Sequence, residues 1–337
     1  MLACASVQSS AVAANSKSWQ MSFPCAAAVW AAVVALAALE GVWHDLRGRE
    51  FAVAMGVAAA LFAFMWFLAA PRTLDRIQRL LGVRGGVLAP LVPLFAFLIY
   101  SVGVSRDWML MLVGAAFVVL PGMVVASSAG KSAGTWEDFA GVLLLWLPVE
   151  FRWLYRLFPY PPQLTHSLTI LLALSAGIAA FVLLRRVEGV GYAVEWRNDF
   201  AWSFGLLFLT YAAIAIPLGM KIGFIAWAPS LERTRSLPLT VIGILFLTAW
   251  PEEFLFRGLL QNFLSRALRS RWAGLLLASA IFGLSHILHA PFPNWKYMLL
   301  ATIAGFFYGG AWMKTGSLVP GTLIHAAVDV SWHVLFR

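Results

Sequence analysis

The stretch Trp250-Pro-Glu-Glu-Phe-Leu-Phe-Arg-Gly258 places two adjacent carboxylates and an arginine directly after the apolar run 237–249, with more helix-forming sequence behind it. Ionisable groups inside a membrane span are rare and mark a functional site with a nearby partner. Glu253 and Arg257 are four residues apart and share one helix face, so each is the other's first partner. Glu252 projects about 100° away from them. One carboxylate is held and the other is free to work.

Around this stretch the whole chain reads as a polytopic membrane protein. Of its 337 residues 61% are hydrophobic and only 12% charged, which excludes an ordinary soluble domain. The aromatic residues suit lipid-facing and interfacial positions. The net charge of +9 does not indicate nucleic acid, because the basic residues fall in short loops between apolar runs and form no basic domain. Cys4 and Cys25 are too few for a disulfide framework or a Cys-rich metal site. Residues 1–20 are small and polar and precede an apolar run that is long for a signal peptide, so they read as a loose tail before an uncleaved first span.

Apolar runs of spanning length fall at roughly 24–43, 51–70, 87–104, 108–126, 165–184, 199–219, 237–262, 273–289, 297–313 and 318–336. An eleventh, at roughly 139–158, is interrupted by Pro148, Glu150, Arg152 and Arg156, as in an interfacial or re-entrant segment. The expected fold is all-α and polytopic, with about 10–11 transmembrane helices and a catalytic core in the last four. With eleven spans and the N-terminus inside, the loops holding Arg72 to Arg84, Arg185 to Arg197 and Arg266 to Arg271 are cytoplasmic, a modest positive-inside preference. Chemistry is concentrated after residue 237. Residues 1–236 read as an N-terminal scaffold and residues 237–337 as the reactive core.

Three signals follow the carboxylate pair: Phe282 with His286, His325 with Asp329, and the small-xxx-small pair Gly305 and Gly309. If the hairpin turns at 267–271, Glu253 and His286 each sit on the order of 20 Å along their helices from it. His325 lies somewhat less deep from the turn at 314–317. Glu252, Glu253, His286, His325 and Asp329 can therefore meet at one level. Such a set supplies what hydrolysis needs, a base for water and donors for an oxyanion.

The order Glu-Glu-x-x-x-Arg, Phe-x-x-x-His, His-x-x-x-Asp resembles the CPBP family of intramembrane proteases, which includes the CAAX prenyl endopeptidases, the Abi proteins and bacteriocin-processing or immunity proteins. The resemblance implies that Glu252 with His286 activates a water, that His325 with the last motif residue forms the oxyanion site, and that Glu253 with Arg257 supports the geometry. The family often has Asn where this chain has Asp329. An ionised Asp cannot donate to an oxyanion, so Asp329 is protonated, orients His325 or binds a metal. Glu252, His286, His325 and Asp329 are also candidate zinc ligands. Glutamate with histidine activates water without metal, however, and His-Glu-x-x-His is absent. The cofactor expectation is none required, or zinc.

The expected partners are a membrane-associated peptide or protein substrate and the lipid bilayer, with no nucleic acid. The expected location is a multi-pass position in the bacterial inner (plasma) membrane, with the site in a cavity open toward the cytoplasm or the lipid. Two alternatives stand beside hydrolysis: a non-catalytic immunity or assembly factor that retains the motif as packing, and a proton relay in a transporter. His289 and His333 read as interfacial, and Glu40 and Glu150 as interfacial or paired charges.

Overall fold

The computed structural model describes residues 18–337, so Cys4 and most of the expected tail lie outside the described residues. Every apolar run forms a helix: α1 (Phe23–Trp43), α2 (Arg49–Leu68), α3 (Pro71–Gly85), α4 (Gly86–Ser105), α5 (Trp108–Ala126), α6 (Trp136–Glu150), α7 (Pro162–Leu184), α8 (Asn198–Lys221), α9 (Leu237–Ala267), α10 (Arg271–Leu288), α11 (Trp295–Thr315) and α12 (Leu318–Leu335). Among the described residues nine of these, all but α3, α6 and α11, are long and apolar enough to cross a membrane. The protein is an all-α, polytopic integral membrane protein.

The two departures from the expected spans have separate causes. The interrupted run is α6, a helix of 15 residues, or about 22 Å against a hydrocarbon core of about 30 Å. The run at 297–313 is α11, which has spanning length at 21 residues but carries Lys296, Lys314 and three glycines. Its buried face, including Ala301, Ala304, Gly305, Tyr308 and Gly309, packs inside the bundle. The amphipathic α3 is an addition that the search for spans passed over. It carries Arg72, Arg76, Arg79 and Arg84 and lies beside the end of α7, where Gln78 donates to the Val182 carbonyl at 3.0 Å.

The basic loops share one face of the molecule. Arg186 donates to the carbonyls of Gln78 and Gly82, while Arg266 and Asn262 both donate to the carbonyl of Glu188. A short antiparallel pair, Trp19–Gln20 with Glu195–Trp196, joins the start of the chain to the same face. With α7 as the innermost span, 78% buried, the first half of the chain packs around one apolar core, and α8 to α12 enclose a second with the interior end of α9.

Local chemistry explains the key boundaries. Thr135 and Asp138 form a capping box at the start of α6. Asp138 is fully buried and also holds Arg185 at 3.1 Å, while Arg185 donates to the carbonyls of Lys131 and Ser132. This ties the α5–α6 loop to the end of α7. In α9, Pro251 has no N–H for the preceding turn and would crowd its carbonyl. The helix widens on either side, over Leu245–Ala249 and Phe254–Gln261, which is a usual adjustment at functional sites.

Removing Asp138 leaves Arg185 buried and uncompensated. Asp138→Ala is expected to cost about 3–5 kcal/mol in detergent-solubilised protein, and pairing it with Arg185→Met to recover most of that loss. Denaturation midpoints of the two variants check this; equal midpoints for wild type and Asp138→Ala would contradict it.

Candidate active site

The widened α9 turns the two carboxylates in different directions. Glu253 faces the protein interior and is fully buried, whereas Glu252 lies on the wall of a cavity of about 640 Å³. The cavity is bounded by α6, α7 and α8 as well as by α9 to α12. Most of its lining is apolar.

Glu253 is the centre of the polar cluster. Its Oε1 stands 3.2 Å from Arg257 Nη1, an ion pair off hydrogen-bond alignment, and 3.0 Å from His325 Nδ1. A carboxylate only accepts, so Nδ1 of His325 carries the proton in this contact. Arg257 also donates through Nη2 to the Gly305 carbonyl at 3.3 Å and lies over the ring of Phe282, 4.3 Å from its centroid. One turn on, Gln261 donates to the Gly309 carbonyl at 3.1 Å. The two glycines of the small-xxx-small pair thus lend their backbone carbonyls to α9. A Cβ at Gly305 would stand 3.1 Å from Phe282. Gly321 serves the same end on α12, since a Cβ there would stand 2.9 Å from Glu253 Oε2.

His325 links the buried pair to the cavity. Its Nε2 lies 3.8 Å from Glu252 Oε2 and 3.5 Å from Asp329 Oδ2, and its ring is stacked on Tyr308 at 4.6 Å. Three carboxylates therefore surround one imidazole, with Arg257 behind them. Asp329 and Glu252 are both partly open to the cavity. Glu252 Oε2 is a buried oxygen with no hydrogen-bond partner among the described residues, a position that calls for a proton, a water or a substrate group.

His286 stands on the same cavity wall, at the end of α10. Its Nδ1 donates to the Phe282 carbonyl at 2.8 Å, which leaves Nε2 as the nitrogen that can act on a bound molecule. Phe282 joins the parts: its ring meets His286 at 4.8 Å, His325 at 5.8 Å and the Arg257 guanidinium. Of the six expected site residues, Glu252, His286, His325 and Asp329 thus line the cavity, and Glu253 and Arg257 stand buried behind them. The four candidate zinc ligands share that edge, but among the described residues no group of three or more His, Cys, Asp or Glu side chains is arranged to hold a metal ion.

Several participants had no signal in the spacing. Tyr297 packs edge-on to His286 at 4.5 Å and to His289 at 5.0 Å, and Tyr308 stacks on His325. His289 is exposed just past the end of α10, where it lies against His286 and lines the cavity. Glu40 pairs with His44 at 3.1 Å on the surface, as expected of an interfacial charge, and His333 is exposed. The cavity lining reaches Phe224, His289 and Phe336, at the helix ends opposite the basic loops.

Comparison with known proteins bears on this region alone. Residues 233–331 match the family model described as Rce1-like, type II CAAX prenyl endopeptidase Rce1-like. The match covers all six residues of the cluster and leaves the first 232 residues unmatched. No curated protein and no solved structure matches the chain.

The arginine is used as a planar fork and as a flat cation over a ring, roles that an ammonium does not fill. Arg257→Lys is expected to cost about 1.5–3 kcal/mol. Thermal unfolding in detergent reads the loss, and a wild-type midpoint would show that charge alone is enough.

Proposed function

We propose, from the premise that the chain belongs through residues 233–331 to the Rce1-like family of CAAX-type intramembrane proteases, that it is an endopeptidase acting on a membrane-associated peptide or protein. The observation that carries this reading is that Glu252 and His286 line one cavity, with the clamped imidazole of His325 3.8 Å from Glu252.

A water between Glu252 and His286 loses its proton to Glu252 as its oxygen attacks the peptide carbonyl, with His286 Nε2 accepting a hydrogen bond from the same water. The tetrahedral oxyanion then needs donors. With Nδ1–H on Glu253, a second proton on Nε2 makes His325 such a donor, and the carboxylates around it balance the charge. Asp329, 3.5 Å from that nitrogen, orients His325. This is the role that fits an acid where the family often has an amide. Tyr297 lines the cavity beside His286 and supplies a further hydroxyl donor. As the carbon–nitrogen bond breaks, Glu252 returns its proton to the leaving amine. The setting we propose is the bacterial inner (plasma) membrane.

Cleavage of a library of membrane-associated peptides by the full chain in lipid nanodiscs tests the reading. Glu252→Gln and His286→Ala are each expected to lower kcat by at least about 100-fold with wild-type melting behaviour. Tyr297→Phe is expected to lose about 10-fold or more in kcat, with KM little changed. Wild-type rates in Glu252→Gln would refute the assignment. A chelator arm decides the metal question: activity that survives chelation indicates the metal-independent route, and loss rescued by zinc makes Glu252, His286, His325 and Asp329 its ligands.

A further inference from the structure

One carboxylate outside the matched segment sits where burial in a membrane protein is expensive. Glu150 ends α6, is half-buried and lines the same cavity as Glu252. Its Oε2 accepts the indole N–H of Trp146 at 3.0 Å, and among the described residues it has no salt bridge. Arg152 and His289 lie near enough to act on Glu150 through space, but neither pairs with it directly: Arg152 lies 5.9 Å from the centre of the Tyr155 ring, and His289 stacks on His286. A carboxylate in an apolar cavity without a directly paired cation is a costly arrangement unless something brings one.

Its position follows from the register of α6 against α9. Phe139 meets Phe263 at 6.0 Å, and Trp146 meets Phe256 at 5.4 Å. Seven residues forward along α6 therefore match seven residues back along α9, so the helices run antiparallel. Gly134, where a Cβ would crowd the backbone of Phe263 and Ala267, fits the same register. Continued past Trp146, that register carries the end of α6 toward the Trp250–Glu253 end of α9. Both carboxylates line the cavity, Glu150 on the α6 wall and Glu252 on the α9 wall.

We propose that Glu150 is a recognition carboxylate that binds a cationic group of the peptide substrate next to the scissile bond, either a Lys or Arg side chain or a free α-amino group. The inference rests on the endopeptidase reading: a peptide whose carbonyl reaches the water on Glu252 occupies the cavity that Glu150 lines. It also gives the unmatched first part of the chain a role in choosing the substrate. The indole N–H fixes one carboxylate oxygen, and the other is left to accept from the incoming cation.

The test uses the full chain in nanodiscs and a peptide taken from the cleavable library. Lys, Arg, norleucine or Glu is scanned through the positions flanking the cleaved bond, each with a free or an acetylated N-terminus. The wild type is expected to favour the cation over norleucine by about 10- to 100-fold in kcat/KM. Dependence on acetylation tells the terminal amine from the side chain. Glu150→Gln, which keeps an acceptor for Trp146, is expected to bring that ratio close to one, and Glu150→Lys to move the preference to the Glu peptide. An unchanged ratio in Glu150→Gln, or no preference in the wild type, would overturn the proposal. If no peptide is cleaved, the endopeptidase reading fails by itself, and fluorescence anisotropy of the same peptides then decides. Cation-selective binding that Glu150→Gln removes supports the subsite, and unselective or absent binding overturns it.

Discussion

A guanidinium with only 1% of its surface exposed has to be answered on every side, and the second half of this protein is arranged to answer Arg257. Glu253 supplies the charge, the Gly305 carbonyl takes one N–H, and Phe282 offers its face. These partners come from α9, α11 and α10. Moving α10 or α11 away would strip the buried guanidinium of its ring face or of its carbonyl acceptor, a loss that is costly for a buried charge. His325 brings in α12 through the same Glu253 oxygen. The interaction that holds four helices together is therefore also the one that aims an imidazole at Glu252. Packing and the proposed chemistry share their atoms.

This sharing explains which parts were legible in the sequence. Contacts one helical turn apart, such as Glu253 with Arg257 and His325 with Asp329, follow from spacing alone, and counting residues from the hairpin turns was enough to place the motifs at one depth. The rotation of each helix about its axis was not legible. The His325–Glu253 contact, the stacking of Tyr308 on His325 and the packing of Tyr297 on His286 depend on it. The glycines were read correctly as helix contacts, but that their carbonyls answer Arg257 and Gln261 needed the packed structure. The run at 297–313 reads as a span, and the helix it forms, α11, is buried among other helices, where it can carry glycines and terminal lysines that a lipid-facing one would not.

The first part of the chain looked inert by motif, yet it closes the cavity. Tyr211 of α8, Ile170 of α7 and Trp146 of α6 all line it, together with Glu150. The family match begins at residue 233, and about two-fifths of the residues that line the cavity lie before that point. Within the cavity the unmatched part of the chain contributes a carboxylate and the matched part contributes the clamp. The short α6 makes this possible, since a helix that ends part-way across the membrane leaves its last residue beside the cavity instead of in the headgroups.

The central claim is that water, activated at Glu252, is added across a peptide bond inside this cavity. Turnover of a cleaved peptide in ¹⁸O-labelled water, followed by mass spectrometry of both fragments, tests it most directly. The account predicts one labelled oxygen in the new C-terminal carboxylate, none in the amine fragment, and no labelled product from Glu252→Gln. Labelled product from Glu252→Gln at the wild-type rate, or cleavage without incorporation of label, would contradict it.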